Sequence, residues 1–116
     1  MCPIEEEQDF RSPNVPKVVT APDGSLLYMS RSPVPTGKKH EFESAKRQVC
    51  IYAFPRKAML EFGRHPEKTR LESIEDIEIL RFLEMGHSIR MIEVKGSPVA
   101  VDTPEDLQRA EAMLSA

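Results

Sequence analysis

Cysteine is scarce in this chain, with only Cys2 and Cys50 among 116 residues. Two cannot build the disulfide framework of a small secreted domain, so reduced thiols in a cytoplasmic setting are expected. The opening MCPIEEEQDF has neither a basic start nor an apolar core, and no secretory signal is expected in it. Long apolar runs are missing too, and none approaches the roughly 18 residues of a membrane span. Positive charge is not in excess: 16 Lys and Arg stand against 19 Asp and Glu, a net charge of −3. Such a chain lacks a general basic surface for nucleic acid. Neither nucleic acid nor membrane is therefore an expected partner. The five glycines sit apart, at Gly24, Gly37, Gly63, Gly86 and Gly96, each where a turn or cap accounts for it. They form no phosphate-cradling loop. His40, His65 and His87 are isolated and do not join the cysteines at zinc spacing, so each reads as a surface loop residue. Cys50 lies in an apolar run and reads as a small buried hydrophobe, while Cys2 reads as incidental. Internal repeats and low-complexity stretches are absent.

What is present suits one small α/β domain, with 40% hydrophobic and 30% charged residues. Residues 1–11, with Glu5, Glu6 and Glu7 together, read as a flexible lead-in. Pro13, Pro16, Pro22, Pro33 and Pro35 make the first third extended and rich in turns. KVVT (17–20) and LLYMS (26–30) flank Asp23-Gly24, the pattern of a hairpin. QVCIYAF (48–54) is nearly continuous in apolar residues, as a central strand covered on both faces would be. A helix should follow from Pro55 to Gly63. Leu71, Ile74, Ile77, Leu80 and Leu83 mark one long helical stripe closed by Gly86. HSIRMIEV (87–94) and VAVD (99–102) read as strands. Thr103, Pro104 and Asp106 then open a last helix whose buried face is Leu107, Ala110, Met113 and Leu114.

Four places carry possible chemistry. Arg31 follows a strand. Arg47, Gln48 and Tyr52 are polar groups on a run otherwise built for a core. Glu72, Glu75 and Glu78 recur every third residue along one helix. Asp102 stands between a strand and a helix. Ligands collect at the carboxyl edge of open α/β sheets, so Asp102 suits a ligand as well as a turn or cap. The glutamates equally suit a solvated helix face.

Four segments in order, SPNVPKVVTAPDGSLLYMSRSPVP (12–35), KRQVCIYAF (46–54), TRLESIEDIEILRFLEMGHSIRMIEV (69–94) and VAVDTPEDL (99–107), resemble the C-terminal half of the 3-deoxy-manno-octulosonate (KDO) cytidylyltransferases, relatives of the acylneuraminate cytidylyltransferases. Those enzymes join CTP to a sugar acid with Mg²⁺ and release pyrophosphate, in a chemistry that needs charge neutralisation and in-line positioning. The resemblance implies that Asp102 is one of two metal-holding aspartates and that Tyr52 and Glu78 line the sugar-acid pocket. It sets Arg31 near that pocket, where a guanidinium suits a carboxylate. Two positions depart from the family pattern at the sugar end. Gln48 stands where a histidine is usual, and Ile79 where the KDO enzymes have glutamine.

The fold expected is therefore α/β, a partial nucleotidyltransferase-like (Rossmann-like) mixed sheet with a β-hairpin dimerisation segment and about three helices. Residues 12–116 would be the sugar-acid-binding and dimerisation half. The substrate site would comprise Arg31, Gln48, Tyr52 and Glu78, with Asp102 on Mg²⁺. Partners would be CTP, a sugar acid and a second copy. The triphosphate loop, the cytosine pocket and the other metal aspartate are not in this stretch, so it is expected to be inactive alone, as a truncated product or fragment. The alternative is a non-catalytic module of the same fold that self-associates or binds a partner.

Overall fold

The computed structural model describes residues 1–96, 101 and 103–115. Asp23-Gly24 reverses the chain as expected. Asp23 Oδ1 accepts from the Ser25 amide at 2.9 Å, and Gly24 takes φ +87°, a conformation cheap only for glycine. The flanking runs become β2 (Lys17–Thr20) and β3 (Leu26–Ser30), paired with Val18 opposite Met29 and with a register shift between Val19 and Thr20. Two short strands complete the sheet, β1 (Cys2–Pro3) and β4 (Lys46–Arg47), in the order β1-β4-β2-β3. Every pairing among them is antiparallel.

Among the described residues, five helices accompany the sheet: α1 (Glu7–Arg11), α2 (Arg56–Arg64), α3 (Arg70–Glu75), α4 (Ile79–Glu84) and α5 (Pro104–Leu114). The main core joins Val18, Leu26 and Met29 of the hairpin to Ile77, Ile79, Leu80 and Phe82 of the α4 region, with Met1 and Met91 beside them. Phe54, Phe82 and Phe62 stack in a row, with centroids 4.4 and 4.6 Å apart. A second cluster gathers Ile4, Phe10, Val15 and Ala45.

The α/β class holds, and the hairpin and last helix fall where expected. Thr103 and Asp106 cap α5 reciprocally, at 3.0 and 3.2 Å. Elsewhere the fold differs. The sheet is antiparallel rather than mixed among the described residues, and the helices number five rather than about three. Residues 1–11 are not a loose lead-in. Cys2 and Phe10 are fully buried, and the Met1 ammonium donates to the Ile92 carbonyl at 2.8 Å. Ile4 and Phe10 supply enough apolar surface to dock the segment despite its acids. The long stripe splits because Asp76 takes the left-handed conformation (φ +52°), ending α3 before α4 begins. Residues 48–54 form no strand, and Cys50 is exposed, because no described strand lies beside them. Residues 87–94 reach the hairpin through a single bridge, Ser25 to Arg90. The apolar face expected to bury α5 is open to water. Residues 99, 100 and 102 of the VAVD segment lie outside the described residues. Among the described residues, no helix is long and apolar enough to cross a membrane.

Candidate substrate cleft

The break at Asp76 has a chemical result. In an unbroken helix the carbonyls of Glu75 and Asp76 would accept amide protons four residues on. Here α4 starts anew, and both carbonyls face Arg31. Arg31 Nε donates to Glu75 O at 2.5 Å, one terminal nitrogen to Asp76 O at 3.0 Å and the other to Pro13 O at 2.9 Å. The Glu75 carboxylate secures the strand end itself, accepting from the Arg31 amide (2.8 Å), Ser30 Oγ (2.7 Å) and Tyr28 Oη (3.2 Å). Burial pushes the Glu75 carboxyl up, but these donors outweigh it and hold it below its ordinary range.

Behind the arginine, Lys17 is fully buried, and its ammonium donates to Ser12 O at 2.8 Å and Arg31 O at 2.7 Å. Burial lowers its pKa. Glu72 and Arg81 brace α3 against α4 through two hydrogen bonds of 2.6 and 2.7 Å. Arg81 also donates to His65 O and stacks 4.0 Å above the Phe62 ring. The hydrogen bonds from Arg81 hold Glu72 below the usual carboxylate range. The solvated-face reading of the glutamate row is thus wrong for Glu72 and Glu75, while Glu78 is exposed.

These elements border a cleft of about 520 Å³. Arg31, Gln48, Tyr52 and Glu78 all line it, so the four expected substrate residues meet in one place. Gln48 Nε2 donates to Tyr52 Oη at 2.9 Å. Burial pushes the Tyr52 hydroxyl up to about 12, so it stays protonated at neutral pH. Ile79 closes the floor as part of the core and offers no polar group. Lys68 and Asp76, joined at 2.5 Å, also line the cleft, and the hydrogen bond from Lys68 lowers the Asp76 pKa. The sequence reading missed Lys68, Asp76, Lys17 and the bracing role of Glu75. A lysine opening a β-branched strand was the one available signal, for Lys17. Arg47 is not in the cleft and pairs instead with Asp9 at 3.1 Å.

The Arg31 guanidinium gives its three hydrogen bonds to neutral carbonyls and keeps further N–H groups, while its charge also acts on the nearby Glu75 and Asp76 carboxylates and lowers their pKa values. With the neutral Tyr52 hydroxyl and the Gln48 amide alongside, the cleft can hold a small molecule carrying one carboxylate and several hydroxyls. Asp102 lies outside the described residues. Among those described, no group of three or more His, Cys, Asp or Glu side chains could hold a metal ion.

The cytidylyltransferase family model matches residues 2–89. The chain is similar to the 3-deoxy-manno-octulosonate cytidylyltransferase of Christiangramia forsetii, 39% identical over 114 residues that cover 97% of this chain and 46% of that enzyme. Its likeness to the enzyme of that name from an Anaeromyxobacter species is 43% identity, over 98% of this chain and 46% of the relative. A solved structure of CMP:2-keto-3-deoxy-manno-octonic acid synthetase complexed with CTP superposes with a TM-score of 0.84 at 32% identity, over 98% of this chain and 46% of that one. The chain thus spans about half the length of the relatives it matches.

Proposed function

The chain belongs to the cytidylyltransferase family, and from that premise we propose that it provides the C-terminal, sugar-acid-binding and dimerisation half of a synthetase that couples CTP to a KDO-like acid. The observation that carries this reading is the cleft that unites Arg31, Gln48, Tyr52 and Glu78. Arg31 would hold the carboxylate. Gln48 and Tyr52 would orient hydroxyls, with Tyr52 acting as a donor and not as a base, since it stays protonated. Glu78 would accept from a further hydroxyl. The apolar floor at Ile79 and the amide at Gln48 argue for a sugar acid other than KDO itself.

Magnesium is part of this proposal through Asp102 alone. A hard cation of this kind takes six oxygen ligands, most of them waters and substrate phosphates, so this chain would offer it Asp102 alone. Self-association would use the 26–35 segment: β3 is the outer strand of the sheet, and Leu27 on it is 60% exposed. A cytoplasmic place in lipopolysaccharide synthesis fits the same reading.

Titrating KDO and related sugar acids into ¹⁵N-labelled protein tests the cleft directly. Shift changes should cluster at Gln48, Tyr52 and Glu78, and Glu78→Ala should weaken binding about tenfold. Binding undiminished in Glu78→Ala and Tyr52→Phe, or none for any sugar acid at about 10 mM, would reject the assignment. The chain alone should release no pyrophosphate from CTP. In a complete enzyme Gln48→His should improve turnover of KDO.

A further inference from the structure

The bend at Asp76 leaves a charge in the cleft that works against an acid. A left-handed residue other than glycine is cheapest as Asn or Asp. Asp76 meets that need with φ +52°, and its carbonyl then accepts from the Arg31 guanidinium at 3.0 Å. The same backbone sets its carboxylate, 71% exposed, among the groups that line the cleft beside Arg31. A carboxylate in this place opposes Arg31 twice. It weakens the field of the guanidinium, and it repels an incoming acid.

Lys68 offsets it. The residue precedes the Thr69 cap of α3, and Asp76 ends that helix, so the pair joins the two ends of a six-residue element about 9 Å long. Lys68 Nζ donates to Asp76 Oδ1 at 2.5 Å. This bond and the ammonium charge hold the Asp76 carboxyl below its ordinary range, with Arg31 adding a smaller pull. The same bond raises the Lys68 pKa, and Glu72 and Glu78 contribute from farther away. Among the described residues lining the cleft, the charged side chains are Arg31, Lys68, Asp76 and Glu78. Cations and carboxylates are thus equal in number. With Lys68 removed, an acid would meet two carboxylates and a single guanidinium.

We propose that Lys68 is a positioning residue for the substrate acid: it neutralises Asp76 and so leaves the Arg31 guanidinium to face a carboxylate. It acts through Asp76 and needs no contact with the substrate. Main-chain geometry requires a short polar residue at position 76, and Lys68 makes the charged choice compatible with binding an anion.

This role rests on the sugar-acid reading of the cleft, and its test separates the two. The probes are KDO and N-acetylneuraminate, each with its uncharged methyl ester, titrated into the ¹⁵N-labelled 116-residue chain. At low ionic strength Lys68→Met should weaken acid binding about three- to fivefold, the range of exposed charge pairs. The difference should vanish at about 1 M salt. Lys68→Arg should stay within about twofold of the native chain. Asp76→Asn added to Lys68→Met should recover most of the loss, because the charge to be masked has gone. Damaged packing would not be repaired in this way. The methyl esters should bind the native chain and Lys68→Met alike. A readout without ligand is the Asp76 carboxyl followed by ¹³C NMR, whose titration should move up toward the ordinary carboxylate range in Lys68→Met. Acid binding unchanged by Lys68→Met, a loss that Asp76→Asn does not repair, or an unmoved Asp76 titration would overturn this role and leave the sugar-acid reading standing. Failure of the native chain to bind either acid would reject both.

Discussion

Met29 and Ile51 are both apolar residues in β-prone runs, yet Met29 is fully buried and Ile51 is 84% exposed. Around Met29 the hairpin, α3 and α4 close on one another. Their acids and bases have partners within the same unit: Glu72 with Arg81, Glu75 with Arg31, Ser30 and Tyr28. Around Ile51, among the described residues, the backbone forms no ladder and the apolar lining stands open. The lesson is that one part of the described chain closes on itself and the other leaves apolar side chains exposed. Burial is a property of a residue's neighbours, and composition reports only what the residue would gain from them.

The sharpest way to break that contrast is to damage the complete side. Glu72→Ala leaves the buried Arg81 without its carboxylate, and chemical unfolding should show a loss of about 3–5 kcal/mol. Glu75→Gln removes the charge that gathers Arg31, Ser30 and Tyr28. A loss of about 1–3 kcal/mol is expected, with weakened sugar-acid binding. pH provides a gentler probe. Glu72 and Glu75 have folded pKa values below their ordinary ones, so the unfolded chain binds more protons in acid. Their stabilisation is present above the ordinary carboxylate value of about 4.3 and is lost as pH falls below it. Tyr52 acts oppositely: its folded pKa is raised to about 12, so its contribution fades as pH climbs from about 10, where the unfolded phenol ionises. Thermal midpoints measured across pH should fall at both ends, and Tyr52→Phe should flatten the alkaline fall. The smallest effect belongs to the open side. Ile51→Ser should change stability by no more than about 0.5 kcal/mol. A loss of several kcal/mol there would erase the distinction between the two regions.

How far the sequence could be read follows the same division. The hairpin was legible because Asp23-Gly24 needs no distant partner to turn the chain, and α5 was legible because its Thr103-Pro104 cap is equally local. Residues 48–54 misled because an apolar run announces a central strand wherever its neighbours reside. The α3–α4 break was invisible to periodicity, since Ile74 and Ile77 stay in phase across it and neither Gly nor Pro marks position 76. Three glutamates drew attention from Ile4 and Phe10, which anchor the opening residues. In the cleft, Arg31, Gln48, Tyr52 and Glu78 stood out from the residue pattern, their substrate role came from family resemblance, and they share one cavity. Glu75 and Lys17 act through contacts 44 and 14 residues away in the chain, beyond the reach of any local pattern.

Position 76 has a consequence for how this protein tolerates change. The carbonyls that clasp Arg31 are available only because Asp76 bends left-handed, so the constraint there falls on the main chain more than on charge. In a saturation library, substitutions at this position would rank by the cost of that bend. Asparagine and glycine would survive best, and valine or isoleucine worst. Glutamate, which preserves the charge, would be the poorer replacement than uncharged asparagine.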